Sequence, residues 1–156
     1  MKDFARFKQL EDLDSESKYL VHKAKEATTT AYAPYSKFHV GAAALLEDGT
    51  LVTGSNQENA SYPLCLCAER IVLHTCATQH PGKAVKKLAV VAHRKNHKEL
   101  TMATPCGACR QVMLETEIRQ EGTMEIVMLG PAHQWTVCPS AESLLPLAFT
   151  PNHLHE

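Results

Sequence analysis

A pair of closely spaced cysteines is the first chemically reactive pattern in this chain. Cys106 and Cys109 make a C-x-x-C pair, and Pro105 directly before them is typical of a helix start. Side chains three residues apart on a helix lie on one face, so both sulfurs can reach the same ion. The same spacing also occurs in redox motifs, and the pair alone does not decide between the two.

A third cysteine favours a metal site over a redox pair. Cys67 begins a second predicted helix in the run Cys67-Ala68-Glu69, where the positive end of the helix dipole stabilises a thiolate. If the two helix starts face each other, Cys67, Cys106 and Cys109 converge, and zinc is the ion that such soft ligands favour. Three protein ligands leave a fourth position for water, which marks a catalytic zinc site. Glu69 would lie in the first helical turn close to that water, where a carboxylate can transfer protons.

Structural interpretations of the same residues stay open. The cysteines could form a buried cluster without a metal, or a closed zinc site in which Cys65 supplies a fourth thiolate. Glu69 alone would be explained as an exposed carboxylate in a first helical turn. Cys65, Cys76 and Cys138 are otherwise predicted to pack as small buried hydrophobic residues. None of the nine histidines has ligand spacing before a glutamate, so we interpret them as surface or packing residues.

Hydrophobic periodicity, together with turn and capping residues, predicts the helices and strands that carry these residues. Asp14 and Ser15 can cap the first helix, and Asp48-Gly49 favours a hairpin turn. Helices are predicted over residues 15–31, 67–78, 105–120 and 141–145, and strands over residues 4–10, 38–46, 51–55, 88–92, 125–129 and 135–137. A hairpin followed by alternating strands and helices predicts an α/β fold with three layers, in which helices cover both faces of a mixed sheet.

Length and composition limit the architecture and the class of function. With 156 residues the chain is expected to form a single domain, 1–156, with residues 1–14 as an N-terminal extension. A net charge of −1 argues against a protein devoted to binding nucleic acid. No apolar run approaches the ~20 residues of a membrane-spanning helix, and the charged first residues do not resemble a secretory signal. A cytoplasmic location with reduced thiols is therefore expected.

Basic residues cluster around one predicted strand. They are Lys83, Lys86, Lys87, Arg94, Lys95 and Lys98. Because no aromatic side chains alternate with them to stack on bases, the cluster is predicted to be a solvated face and not an RNA-binding surface.

The cysteine motifs resemble those of a known family. Cys67-Ala68-Glu69 together with Pro105-Cys106-Gly107-Ala108-Cys109 resembles the signature of the zinc-dependent cytidine deaminase superfamily. Further segments resemble the short, homotetrameric members that act on free nucleosides, and these are residues 33–38, 40–43, 56–63, 106–111 and 144–146 with Phe149. The resemblance runs from about residue 15 to about residue 149 and implies the cytidine deaminase-like fold.

The resemblance also implies an activity. That activity is hydrolysis of cytidine and 2′-deoxycytidine to uridine and 2′-deoxyuridine with release of ammonia, a reaction of pyrimidine salvage. It implies one Zn²⁺ per subunit, a homotetramer, a small nucleoside as substrate, and neither nucleic-acid nor membrane partners. In the family's chemistry, zinc lowers the pKa of its water towards ~7, hydroxide attacks C4 of the cytosine, and Glu69 brings a proton to N3. The excess negative charge of three thiolates separately predicts that Arg70, with Arg110 as a second candidate, hydrogen-bonds to the ligand sulfurs. Arg70 is expected to moderate their charge.

Six substrate contacts are implied by the same resemblance. They are Phe38 packing on the pyrimidine, Asn56 and Glu58 binding the ribose hydroxyls, Ala60 and Tyr62 in the pyrimidine-site segment, and Phe149 reaching a neighbouring subunit's site. A Glu58 carboxylate close to the sugar would repel a 5′-phosphate, which favours free nucleosides over nucleotides. Asn56 and Glu58 could instead be turn residues, and Phe38 and Phe149 could be core aromatic residues.

Two other functions stay open. The first, within the same superfamily, is deamination of a related small aminopyrimidine, such as a nucleoside antibiotic or a nucleotide. The second is a non-catalytic zinc protein or a nucleic-acid-binding module. Ammonia release from different cytosine compounds separates the first from the leading prediction, and a zinc ion held by four sulfurs would favour the second.

Overall fold

The computed structural model describes residues 4–154, which form one six-stranded sheet with helices packed on it. The longer elements, in chain order, are β1 (Ala5–Phe7), α1 (Ser15–Ala27), β2 (Phe38–Leu46), β3 (Leu51–Ser55), α2 (Ala68–Gln79), β4 (Val85–Arg94), α3 (Gly107–Gln120), β5 (Glu125–Leu129) and β6 (Trp135–Cys138). The strand order is β1-β6-β5-β4-β2-β3. The sheet is mixed because β4 and β5 run parallel while the other neighbouring strands pair antiparallel.

The alternation of side chains along β4 divides the core into two halves. Leu88 and Val90 belong to the cluster that contains the buried side chains of α2 and α3. Ala89 and Val91 point the other way and belong to the cluster that contains the buried side chains of α1. Helices therefore cover both faces of the sheet, and the predicted three-layer α/β fold is confirmed.

Most predicted elements lie close to their predicted bounds, with differences at the ends. β2, β3 and β5 begin and end as predicted, whereas β1 is only three residues long. α1 ends at Ala27, earlier than predicted, because three threonines follow it as a 3₁₀ turn. The hydroxyls of Thr28, Thr29 and Thr30 each donate to a carbonyl three residues earlier, which competes with continued helix. The last predicted helix is a 3₁₀ turn over Ala141–Leu144.

Lys87 departs from the solvated basic face predicted for its segment. It lies on β4 with only 5% of its surface exposed. Its Nζ donates to Asp14 Oδ1 (3.1 Å) and to Ser17 Oγ (3.0 Å), and it lies 3.0 Å from Glu125 Oε2. The prediction is wrong for this residue because it shares the sheet face of α1, where the capping residue Asp14 supplies a carboxylate partner. The neighbouring Lys86 is half exposed, as expected.

None of the helices in the described part of the chain has the length and apolar character needed to span a bilayer.

Candidate metal centre and active site

Three cysteine sulfurs lie together at the starts of two helices. The Sγ atoms of Cys67, Cys106 and Cys109 are all within 4.8 Å of one another. Cys67 and Cys106 are 3.9 Å apart, and Cys106 and Cys109 are 3.5 Å apart. Cys67 and Cys106 occupy the N-cap positions of α2 and α3, and neither side chain makes a capping hydrogen bond. The sulfurs thus face one another, as the sequence predicted.

The donor set fits zinc. Thiolate sulfur is a preferred ligand of Zn²⁺, and three protein ligands with a free fourth position are typical of catalytic sites. Cys109 is buried, Cys67 is half-buried and Cys106 is exposed, so the cluster has one side open to the surface. Hydrogen bonding by the Cys109 thiol, followed by the Arg70 guanidinium, lowers the pKa of Cys67 to about 5 against the effect of burial. The same hydrogen bond and burial raise the pKa of Cys109.

Glu69 lies in the first turn of α2 and is only 4% exposed. The alternative of an exposed helix carboxylate is therefore wrong. Burial, with a further contribution from the nearby Cys67 charge, raises the pKa of Glu69 to about 7. Within the described residues, its buried Oε2 has no hydrogen-bond partner. An unpartnered buried carboxylate oxygen is costly, so its presence fits a group that meets a ligand or a reacting molecule.

The two candidate charge-moderating arginines have different surroundings. Arg70 donates from Nη2 to the carbonyl of Cys65 (3.2 Å) and lies 3.8 Å from the Sγ of Cys67. Arg110 donates from Nε to the carbonyl of Pro105 (2.8 Å) and from Nη1 to the carbonyl of Leu144 (3.1 Å). The expectation that Arg110 hydrogen-bonds to the sulfurs is therefore wrong, because backbone carbonyls take up its donors.

Cys65 has partners of its own and lies outside the cluster of three. Its Sγ accepts from the Asn59 N–H (3.2 Å) and donates to the Asn59 carbonyl (3.6 Å). Among the described residues, the metal-binding group comprises only Cys67, Cys106 and Cys109, which argues against the four-thiolate alternative. Cys65 is half-buried, unlike the prediction, while Cys76 and Cys138 are buried as predicted.

Asn56 holds the start of β2, the strand on which Phe38 lies. The Val40 N–H donates to Asn56 Oδ1 (2.9 Å), and Asn56 Nδ2 donates to the Phe38 carbonyl (2.9 Å). Asn56 is 9% exposed, so this is a buried bridge between β2 and the segment after β3 and not a solvated turn. The half-buried Phe38 is also not a core residue.

Glu58 accepts two backbone hydrogen bonds from the segment before β2. The donors are the N–H groups of Tyr35 (2.9 Å) and Ser36 (3.3 Å), both directed at Oε2. Burial alone would raise the pKa of Glu58, but the hydrogen bonds from Ser36 and Tyr35 outweigh it and lower the pKa. Sequence reasoning did not assign Tyr35 and Ser36 to the site, although the segment 33–38 already carried the family resemblance.

Ala60, Tyr62 and Phe149 lie on the surface of the chain. Tyr62 is 67% exposed and packs edge-to-face on Tyr35 with ring centroids 5.6 Å apart. Phe149 is 57% exposed and stacks on His153 at 5.4 Å. The interpretation of Phe149 as a core aromatic is therefore wrong.

The fold and the site together define a zinc-dependent hydrolytic deaminase. A family model described as the cytidine and deoxycytidylate deaminase zinc-binding region matches residues 14–123. The chain belongs to the cytidine and deoxycytidylate deaminase family. The resemblance of the cysteine motifs to the zinc-dependent cytidine deaminase superfamily is thereby confirmed.

Individual relatives agree with the family assignment. A cytidine deaminase of Halalkalibacterium halodurans is 40% identical over 137 residues, which cover 88% of this chain and 96% of the relative. One of Mycobacterium tuberculosis is 50% identical over 92 residues, or 59% of this chain and 65% of the relative. The crystal structure of a cytidine deaminase from Burkholderia pseudomallei superposes with a TM-score of 0.71 at 42% identity, covering 88% of this chain and all of that one.

Proposed function

We propose that this chain hydrolyses cytidine and 2′-deoxycytidine to uridine and 2′-deoxyuridine with release of ammonia, as an enzyme of pyrimidine salvage. One observation carries the proposal. Three thiols from the starts of two helices converge, and the first turn of one of these helices carries a buried carboxylate whose Oε2 has no hydrogen-bond partner among the described residues. A relative named cytidine deaminase, which is 40% identical over 88% of the chain, supports the substrate.

Cys67, Cys106 and Cys109 would hold one zinc ion per chain. When bound, zinc supplies Lewis acidity that lowers the pKa of a water molecule to about 7 and so yields a nucleophile at neutral pH. Both helix starts direct positive dipole ends at the thiolates, which favours their charged form. The partial exposure of the cluster leaves a route for the nucleoside base.

Glu69 would carry the protons of the reaction. Its Oε2 accepts a proton from the attacking water and delivers it to N3 of the pyrimidine as the oxygen bonds to C4. A second proton moves from the hydroxyl now on C4 through the same carboxylate to the amino group. The C4–N bond then breaks, the C4–O bond becomes a carbonyl, and the amino group leaves as ammonia. One water is consumed and one ammonia is released, and Glu69 ends in its initial protonation state.

Arg70 would moderate the negative charge of the ligands. Three thiolates outweigh the two positive charges of Zn²⁺, and excess negative charge weakens the ion as a Lewis acid. The guanidinium 3.8 Å from the Cys67 sulfur offsets part of this charge. Arg70 is thus a positioning residue that acts through the ligand and does not touch the substrate.

Asn56 and Glu58 would bind the ribose, and Phe38, Ala60 and Tyr62 would surround the pyrimidine. Glu58 Oε2 is engaged by two backbone N–H groups, so Oε1 is the oxygen available for a sugar hydroxyl. The Asn56 amide retains one N–H after its bond to Phe38. A carboxylate at the sugar disfavours a 5′-phosphate, so free nucleosides are the preferred substrates.

A homotetramer in the cytoplasm is part of the proposal. The exposed Tyr62 and Phe149 are large hydrophobic side chains, and contact with a neighbouring subunit would cover them. Phe149 would then complete the neighbour's substrate site. Analytical ultracentrifugation of the full chain tests the tetramer directly.

The deciding experiment measures ammonia release by the zinc-loaded protein. Cytidine, 2′-deoxycytidine, dCMP and a cytosine-bearing oligonucleotide are compared, and we expect turnover of the two nucleosides only. Turnover of dCMP alone would favour the nucleotide reaction that the family model's description includes. No turnover of any compound would favour a non-catalytic zinc protein.

Glu69→Gln provides the control for chemistry in that experiment. Removal of a general acid–base typically costs about 10²–10⁴-fold in rate, and we expect at least such a loss of kcat with zinc content unchanged. Glu115→Gln, an exposed substitution on α3, should leave kcat unchanged. Full activity of Glu69→Gln would contradict the proposed proton transfer.

A further inference from the structure

Helix α3 holds the C-terminal segment of the chain at three points. Glu117 accepts at Oε1 from the Ala141 N–H (2.9 Å) and at Oε2 from the Ser140 hydroxyl (3.0 Å). Arg110 donates to the Leu144 carbonyl (3.1 Å), and Gln111 donates from Nε2 to the Phe149 carbonyl (2.9 Å). Two of these tethers therefore come from the residues that directly follow Cys109.

Arg110 also hydrogen-bonds to the turn that carries Cys106 and Cys109. Its Nε donates to the carbonyl of Pro105 (2.8 Å), the residue immediately before Cys106. The Pro105 side chain is buried, while Cys106 itself is exposed. One guanidinium thus joins the carbonyl before the first thiol of the C-x-x-C pair to a carbonyl in the C-terminal segment. Because the guanidinium is planar and rigid, donation from two of its nitrogens fixes the two carbonyls relative to each other.

The C-terminal segment has few other means of holding its position. Within residues 145–149, Leu147 is fully exposed and Phe149 is 57% exposed. Leu145 and Ala148 are only partly buried against the core. The buried Glu117 contacts hold Ser140 and Ala141, which precede this stretch. Arg110 and Gln111 donate to the carbonyls of Leu144 and Phe149, so the placement of residues 145–149 depends on these two donors.

We propose that Arg110 and Gln111 are positioning residues that couple the zinc-binding turn, residues 105–109, to the C-terminal segment, residues 144–149. Zinc held by Cys106 and Cys109 fixes the first turn of α3 and with it the donors that hold the C-terminal segment. By thermodynamic reciprocity, loss of the tethers weakens the hold on zinc by the same factor. The inference rests on the zinc site of the proposed function but not on its substrate.

Zinc release and hydrogen exchange test the coupling without any activity assay. A chromogenic chelator reports the rate of zinc loss from the full chain. Loss of a residue that orients metal ligands lowers metal affinity about 10–100-fold. We expect this loss in Arg110→Met to show as zinc release about tenfold faster than in the unchanged protein. Amide exchange over residues 144–150 is expected to be about fivefold or more faster after zinc removal, a modest coupling between two sites.

Three variants separate coupling from general destabilisation. Arg119→Met removes an exposed arginine from the same helix and should leave both rates unchanged. Gln111→Glu replaces the donor to Phe149 by a carboxylate and should speed exchange of the segment even if Arg110→Met does not fold. Arg110→Lys keeps one donor and the charge, so it should restore part of the slow zinc release.

A spectroscopic readout tests the geometry of the ligands themselves. With Co²⁺ in place of zinc, the visible absorption bands report the arrangement of the thiolates. We expect these bands to shift in Arg110→Met and not in Arg119→Met. Equal rates of zinc release from Arg110→Met and Arg119→Met would overturn the inference. It would also be overturned if zinc removal left the amide exchange of residues 144–150 unchanged. Absence of cytidine turnover with these couplings intact would instead count against the proposed substrate alone.

Discussion

The guanidinium of Arg70 lies 3.8 Å from the sulfur of Cys67, on the helix that also carries Glu69. The same Nη2 donates to the carbonyl of Cys65, which fixes the guanidinium beside the thiolate. A positive charge held at this distance offsets part of the ligand charge without occupying a coordination position. The consequence is testable because charge and packing can be changed separately.

Arg70→Gln is expected to lower kcat by about tenfold or more while the protein stays folded. The cause is the uncompensated thiolate charge, which weakens the Lewis acidity of the bound zinc. Steady-state kinetics and zinc content by atomic absorption check the prediction. Arg70→Lys keeps the charge, so its kcat should lie between those of the unchanged protein and Arg70→Gln. Full activity and zinc content in Arg70→Ala would show that the ligands need no such compensation.

Cys65→Ser is expected to bind one zinc per chain, like the unchanged protein. Its thiol contacts Asn59 and stands apart from the three clustered sulfurs. Cys67→Ser is the matched substitution within the cluster and should lose most of the zinc affinity, since hydroxyl oxygen is a poor substitute for thiolate. Loss of zinc from Cys65→Ser would instead support the alternative of a closed zinc site with four thiolates.

Lys87→Met is expected to lower the free energy of unfolding by about 1–2 kcal/mol. Breaking a buried ion pair costs 3–5 kcal/mol, but the carboxylates left behind on Asp14 and Glu125 are about half exposed and partly solvated. Urea denaturation of both proteins measures the difference. Lys86→Met removes a half-exposed lysine next to it, whose loss should change stability by no more than about 0.5 kcal/mol. Equal effects of the two substitutions would contradict the buried role of Lys87.

The pH dependence of the free energy of unfolding should show the stabilising contribution of the Asp14 carboxylate. Partial burial would raise its pKa, but hydrogen bonds from Ser17 and then Lys87 outweigh that effect and lower the pKa from 3.8 to about 2. A lowered pKa means that the stabilisation is fully present above 3.8 and is lost as the pH falls through about 2.

Asp14→Asn isolates that contribution because asparagine also caps helices well. The stability gap between the two proteins should be constant near neutral pH and should shrink as the pH falls below about 4. Unfolding curves over this range measure the gap, and a gap that stays constant or widens would show that the charge of Asp14 is not what stabilises the fold. Zinc loss in acid affects both proteins alike and cancels in the difference.

The features that depend on near neighbours in the chain could be predicted from the amino-acid sequence. Periodic apolar residues, the Asp14 cap and the hairpin turn specified the helices and the long strands. The C-x-x-C spacing placed Cys106 and Cys109 on one helix turn, because helical geometry alone brings side chains three residues apart together. The order of the motifs identified the family, because these motifs consist of the residues needed for the chemistry and can be recognised without knowing how the layers pack.

Contacts between residues distant in the chain became known from the folded structure. It brings Cys67 to 3.9 Å from Cys106, encloses Glu69, and buries Lys87 against the cap of a helix formed 73 residues earlier. It also turns the Arg110 donors to carbonyls and away from the sulfurs. Such contacts arise when layers pack, and no local pattern encodes them because a lysine or an arginine carries the same intrinsic preferences whether it meets water or a partner.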